Sequence, residues 1–324
     1  MRTNNAMQLK AKVNSRAKAV GISPAHAMQA YVLDCLVVRL SRSRYRDSVV
    51  VKGGVLIGSL IGVDKRTTMD LDTTVRGLEL SHESARAMFD EVCALESEDD
   101  FSFTLVRTED IRETDDYPGI RVHLRADFPP LSIPVSVDVT TGDRIVPSAV
   151  THTFKLTFDD DVVDVLSYPT ATVLAEKLET VLSRGVTNTR PRDFYDIHML
   201  WRLRRDDFTL EELADALKAT AEKRHSATLL ASWRETLPAI QNDKTMLAQW
   251  STYARRFQYV GNLTLEETCE TILEVMTMLE QAGYRGAAIE AVRRGFDVIE
   301  RGETSDAFES IDDVRNKYDL LTPP

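Results

Sequence analysis

Asp70 and Asp72 stand one residue apart in the segment TTMDLDTT, just after Lys65 and Arg66. In an extended chain, residues two apart face the same way, so both carboxylates share one side while Leu71 takes the other. Carboxylates so placed can ligate one or two hard, oxygen-seeking cations. A third acid, Asp138, lies in the otherwise apolar run SIPVSVDVTTGD. Its neighbours Val137 and Val139 face the opposite way, into a core, and a carboxylate in that setting needs a partner because burying it unpaired is costly. If the two strands adjoin, three carboxylates converge. Two Mg²⁺ ions about 3.5–4 Å apart could then clamp a triphosphate and activate a hydroxyl.

Upstream, Gly53-Gly54 precedes an apolar helical segment, VLIGSLIG. Glycine permits a tight turn and close approach of backbone to phosphate, and the exposed N–H groups of a helix start favour an anion. Ser59 adds a hydroxyl there only if the helix starts later than Val55. Downstream, PTATVLAEKLETVLSRG places Lys177 and Arg184 seven residues apart, on nearly one helix face, where both could reach a phosphate. The next helix opens RPRDFYDIHML, with Pro191 in its first turn and either Arg192 with Asp196 or Asp193 with Asp196 on a common face. An acid facing Lys177 would orient that lysine or serve the attacking group.

Taken singly, each feature has an ordinary structural reading: a polar strand edge, a turn, a surface lysine, an intrahelical ion pair. Their order is what points to a site. Other chemistries are disfavoured. The six histidines are dispersed, with no His-Glu-x-x-His or cysteine-pair spacing, and there is no G-x-S-x-G, G-x-x-x-x-G-K-[ST] or G-x-G-x-x-G.

The elements that must position these residues divide near residue 165. Ser23-Pro24 caps a helix, SVVVKGG reads as a short buried strand, and SHESARAMFDEVCALE is an amphipathic helix capped by Ser81. Three strands follow, FSFTLVRT, GIRVHLRADF and LSIPVSVDVTTGD, the last two joined at Pro129-Pro130. Pro134 marks an edge position or a bulge. After VDVLSYP the pattern is helical, over 170–184, 191–205, 209–223 and beyond. The expected fold is α/β (α+β): an N-terminal α/β domain, residues 1–165, with N-terminal helices and a small, mainly non-parallel sheet, then a C-terminal helical bundle, residues 166–324. Acidic clusters at 96–100, 109–116 and 159–164 read as loops, and DDVRNKYDLLTPP as a loose tail.

At 324 residues the chain can bury a full core. No apolar run nears the roughly 20 residues that span a bilayer, and the basic N-terminus lacks a signal-type apolar core, so a cytoplasmic protein without membrane contact is expected. Three scattered cysteines fit reduced, mostly buried thiols. A net charge of −11 argues against a general nucleic-acid coat but leaves room for a local basic groove. The basic residues cluster at 39–46, 184–205, 223–224 and 255–256.

The order KGGVLIGSL, KRTTMDLDTT, VSVDVTTGD, LAEKLETVLSRG and RPRDFYDIHML resembles the polymerase-beta-type nucleotidyltransferase superfold. Within it the match is to the AbiEii toxin family of type IV toxin–antitoxin and abortive-infection systems, which includes the mycobacterial MenT toxins. The resemblance spans about residues 50–200 and rests chiefly on LAEKL…R and RDFYD. It implies that Asp70, Asp72 and Asp138 hold Mg²⁺ or Mn²⁺, and that Lys52, Gly53, Gly54, Ser59, Arg66, Thr67 and Thr68 bind an NTP with Lys177, Arg184, Arg192 and Asp193. Lys177 and Asp196 would be essential to catalysis. The implied activity is transfer of a nucleoside monophosphate to the 3′ end of tRNA, which blocks aminoacylation and translation. A cognate winged-helix antitoxin without a stable complex is the implied partner. Two departures stand out: Thr68 where the family more usually has serine, and Val55 where it has threonine.

Two other readings remain open. A nucleotidyltransferase that modifies a small molecule, of the antibiotic type, or a protein would show an acidic acceptor pocket and little salt dependence. A non-catalytic binding protein on the same fold would have lost some of the acids or Lys177, yet all are present.

Overall fold

The computed structural model describes residues 2–111, 119–158 and 161–300. Helices α1 (Ala6–Val20) and α2 (Pro24–Arg42) lead into β1 (Val49–Lys52), α3 (Gly53–Ile61), β2 (Asp70–Val75) and α4 (His82–Ala94). Five strands follow: β3 (Ser102–Asp110), β4 (Gly119–Phe128), β5 (Leu131–Thr141), β6 (Val150–Lys155) and β7 (Val162–Ser167). The rest is helical: α5 (Thr170–Arg184), α6 (Pro191–Arg204), α7 (Leu210–Lys223), α8 (Ala227–Ala231), α9 (Trp233–Asn242), α10 (Lys244–Arg256) and α11 (Leu265–Glu300). The expected α/β fold with a helical C-terminal half is the observed one.

The strands form one mixed sheet in the order β3-β4-β5-β2-β1-β7-β6. Neighbours run antiparallel except β2 with β5 and β1 with β7, which are parallel. One face is a core layer: Val49 and Val51 of β1, Leu71 and Val75 of β2, Val135, Val137 and Val139 of β5, and Ile120, Val122 and Leu124 of β4 are all buried. Helices α2 and α4 cover that face. The opposite face carries Lys52, Asp70, Asp72, Ser136, Asp138, Arg121 and His123. Because side chains alternate strictly, this burial fixes the register: a one-residue slip would send every carboxylate into the apolar layer.

Local signals match local structure. The Ser23 hydroxyl accepts from the His26 N–H at the start of α2, and Ser81 forms a capping box with Ser84 at the start of α4. Pro134 lies in an interior strand, not an edge strand. Its place is nonetheless edge-like, because β2 pairs with β5 only from Ser136 onward. Two strands depart from expectation: β6, which no segment of the sequence reading covers, and β7. The acidic run at 159–164 was expected as a loop, but Val162–Ser167 is β7, which pairs with β1 and β6 because its other residues supply sheet backbone. Consequently the change from strand to helix falls at Tyr168-Pro169, a few residues past 165. The expected tail and most of the acidic run at 109–116 lie outside the described residues. Cys35 and Cys269 are buried, Cys93 is partly so, and all three are free thiols.

Leu71 is fully buried between the two carboxylates of β2 and reports on this register. Leu71→Ala is expected to lower unfolding free energy by about 2–5 kcal/mol in urea titrations, whereas Val106→Thr on the exposed edge of β3 should leave it nearly unchanged.

Candidate active site

The sheet register sets a row of charged residues. Lys52 of β1 is paired with Asp72 of β2, Asp72 with Asp138 of β5, Asp138 with Arg121 of β4, and Arg121 with Glu109 of β3. Asp70 lies two residues back on the same face, level with Ser136. Asp72 and Asp138 are thus direct neighbours, as the alternation of their strands requires. Burial, together with the charges of Asp72 and Asp138, raises the Asp70 pKa above the ordinary carboxylate value, against the pull of Arg121 and Arg192. Crowded carboxylates of this kind are what a hard cation relieves.

Asp138 is not left free for such a cation. Arg121 Nε and Nη2 donate to its two oxygens at 2.7 and 2.8 Å, a bidentate pair. Among the described residues no group of three or more histidine, cysteine or acidic side chains stands arranged to hold a metal ion. The expected three-carboxylate convergence is therefore two carboxylates, Asp70 and Asp72, beside a third that Arg121 holds. Two carboxylates still suit Mg²⁺, which commonly takes one or two protein oxygens and completes its shell with water and substrate phosphates.

Helix α3 begins directly at Gly53, and both glycines are dictated by contact. Gly53 has φ +64°, and a Cβ there would fall 2.0 Å from Asp72 Oδ2. A Cβ on Gly54 would fall 2.4 Å from Thr68 Oγ1. The Gly54 N–H points at Asp72 Oδ2, 3.3 Å away. Ser59 lies well inside α3, because the helix starts earlier than expected, and its hydroxyl meets His152 Nε2 at 2.9 Å. It does not join the helix start. The Thr68 hydroxyl donates to the Asp70 carbonyl, and Thr67 is buried beside Arg66.

Behind this edge lies a buried ionic network. Arg66 Nε donates to Asp196 Oδ1 at 2.7 Å, Lys177 Nζ stands 3.2 Å from Asp196 Oδ2, and Lys177 also donates to Asp193. Asp193 with Asp196, rather than Arg192 with Asp196, is therefore the working pair on α6. Arg192 is exposed and acts on Asp70 through space. Burial pushes the Asp196 pKa up, but the Arg66 and Lys177 charges outweigh it and hold the carboxyl below its ordinary value. Burial likewise opposes the Lys177 charge, which Asp193 and Asp196 restore, leaving its pKa raised.

A cavity of about 540 Å³ opens on the other side of Asp72 and Asp138, between the sheet and helices α5 and α7. Lys52 Nζ donates there to Thr140 and to Asp143, and Lys223 and Tyr168 converge on the same Asp143 carboxylate. Burial opposes the Lys52 charge, yet Glu176, Asp143 and Asp72 keep its pKa above the ordinary lysine value. Arg184, Arg190 and Arg224 also line the cavity, with Arg224 tied to Glu176 and Glu179. Lys177 and Arg184 thus part company, the first drawn to α6 and the second to the cavity wall. Sequence reasoning missed Arg121 and Asp143, whereas Lys223 belongs to the expected basic cluster at 223–224. Of the basic clusters, 39–46 includes Arg39, which is buried against Asp99 as a structural pair.

Residues 35–275 match the family described as "Nucleotidyl transferase AbiEii toxin, Type IV TA system". The chain belongs to this family. As a member of the AbiEii family it is a toxin-type nucleotidyltransferase, and the carboxylates, glycine turn and Lys177–Asp196 network described above fall within the matched span. No curated protein matches the chain. Among solved structures it is similar to JHP933 from Helicobacter pylori, with 16% identity, a TM-score of 0.46, and coverage of 83% of this chain and 99% of that one. It is also similar to an antigenic nucleotidyltransferase-like protein from Paracoccidioides brasiliensis, with 17% identity, a TM-score of 0.34, and coverage of 61% and 92%.

The Asp196 network yields a stability test. Asp196→Ala strands two buried cations with one remaining acid and is expected to cost about 3–5 kcal/mol in chemical denaturation at neutral pH. Because the folded pKa lies below the unfolded one, the Asp196 contribution is complete above the ordinary carboxylate range. It is lost as pH falls through the lowered value. Acid titration should therefore destabilise the wild type more steeply than the variant at the low end.

Proposed function

We propose that the protein transfers a nucleoside monophosphate from an NTP to the 3′ end of tRNA, in a reaction dependent on Mg²⁺ or Mn²⁺, and so blocks aminoacylation. The observation that carries the reading is the placement of Asp70 and Asp72 at the Gly53-Gly54 helix start, with Asp138 in register beside them and the Lys177–Asp196 network behind. Asp70 and Asp72 are the residues that would hold the ion. A divalent cation bound there supplies charge neutralisation and polarises the phosphoryl oxygens.

The chain's own groups do the rest, since phosphoryl transfer is largely positioning and electrostatics. Gly53 and Gly54 keep the α3 start bare of side chains, so phosphate oxygens can approach the backbone N–H groups. Arg192 and Lys177 offset charge that builds on the departing pyrophosphate, with Asp193 and Asp196 holding the lysine in place. Arg66 fixes Thr67 and Thr68 against the helix start through its hold on Asp196. On the far side, the cavity receives the acceptor, whose hydroxyl attacks the α-phosphorus in line. Arg184, Arg190, Lys223 and Arg224 on its helical wall support an RNA backbone there. A cognate winged-helix antitoxin that forms no stable complex with the toxin is the partner this reading adds.

A second reading, a small cationic acceptor, draws on Glu176 and Glu179 of the same wall and on a cavity of small-molecule size. One experiment separates the two. The protein is incubated with total RNA and a panel of small polyamines, Mg²⁺ and each labelled NTP in turn, with Asp72→Ala alongside. Label on tRNA, weakening steeply with added salt and falling at least a hundredfold in Asp72→Ala, is expected. Labelled amines with unlabelled RNA would replace the first reading by the second.

A further inference from the structure

We infer that Arg121 takes the place of a second metal ion, so that the site holds a single divalent cation at Asp70 and Asp72 and uses Asp138 as an anchor for arginine. The inference rests on the metal-dependent reading above and specifies how many ions that reading needs.

Three observations carry it. First, Arg121 is fixed opposite Asp138 by the β4–β5 ladder, so the guanidinium is aimed by backbone register and not by a loop. Second, it engages both Asp138 oxygens with a planar fork, at 2.7 and 2.8 Å. Each Asp138 oxygen thus already gives one lone pair and part of its negative charge to a charge-assisted bidentate pair, which makes it a poorer donor to a cation than the oxygens of Asp70 and Asp72. Third, Arg121 is placed beside the whole cluster: Asp138, which it holds, stands level with Asp72 on the next strand, two residues along from Asp70 on the same face. A permanent positive charge thus already sits beside the carboxylates, where a second ion would otherwise be required to offset three clustered acids.

The row provides the physical reason. Lys52 flanks Asp72 on one side and Arg121 flanks Asp138 on the other, leaving Asp70 as the acid with no cation across from it on the neighbouring strand, where Ser136 stands. Asp70 and Asp72 are thus the acids of the row whose oxygens no arginine holds, and a divalent ion is placed on them. In this role Arg121 is a positioning residue: it holds Asp138 and sets the cation count, and its guanidinium cannot lose its charge at any working pH.

The test counts bound Mn²⁺ by electron paramagnetic resonance, on the full chain with each α,β-imido NTP in turn. The wild type is expected to bind one ion. Asp138→Asn should keep that ion with less than about a fivefold loss of affinity, because its carboxylate is not a ligand. Asp72→Asn should lose it. Arg121→Gln, which frees the Asp138 oxygens, should bind two, and Arg121→Lys should stay at one. Circular dichroism of each variant confirms that it is folded; Arg121 is partly exposed, so its replacement leaves the core intact. Two ions in the wild type, collapse of affinity in Asp138→Asn, or a single ion in Arg121→Gln overturns the inference while leaving the metal-dependent reading standing. No Mn²⁺ in the wild type with any nucleotide overturns both.

Discussion

Asp72 and Asp138 stand directly opposite one another on adjoining parallel strands, and like charges so placed repel. Much of the molecule's polar architecture follows from holding them there. Lys52 and Arg121 occupy the positions next along the row, one on each side, and each is itself anchored: Lys52 through Asp143 and Thr140, Arg121 through both oxygens of Asp138. Asp143 in turn draws in Lys223 from α7 and Tyr168 from the end of β7. The repulsion at the centre of the sheet is thereby offset through groups that tie the sheet to the helices packed beside it. Alternation does the complementary work, since the same strands present Leu71, Val137 and Val139 to the apolar layer beneath α2 and α4.

A second constraint is the burial of Asp196, which has no exposed surface. An isolated carboxylate there would be prohibitively costly, and the two cations that satisfy it come from different parts of the chain. Arg66 arrives from the loop after α3 and Lys177 from α5, with Asp196 on α6 between them. The loop bearing Thr67 and Thr68 is thus fastened to the helical half at one atom group. Tyr195 adds a bond from the same helix, its hydroxyl donating to the Lys65 carbonyl at 2.7 Å. Any displacement of α5 or α6 reaches Arg66, and through it the approach to Asp70. The glycine turn is held from the opposite direction, since neither Gly53 nor Gly54 has room for a side chain against Asp72 and Thr68.

The strand faces were legible in the sequence because period-two alternation is strong in β2, β4 and β5, and α5, α6 and α7 were legible because their starts carry proline or a capping threonine. Strand β7 was less so: a run of aspartates masked a segment whose backbone, and not whose side chains, earns its place in the sheet. The acid of α6 that faces Lys177 was legible, but the Asp196 partner of Arg66 was out of reach, since it depends on the packing of the 62–68 loop against α6, which no local pattern encodes.

Arg121 is the instructive case, because its partner was legible. The Pro129-Pro130 connection leaves Phe128 opposite Leu131, and in an antiparallel pair each step back along one strand matches a step forward along the other. Seven steps from that turn bring Arg121 level with Asp138. Both side chains then share a face, the one opposite Val122 and Val137. Reading the two strands separately made Asp138 an acid in want of a partner and sent the search to Asp72; reading them as a hairpin supplies the partner from the adjoining strand. A carboxylate at the centre of a sheet has two neighbouring strands, and its chemistry is set by the one that carries the cation.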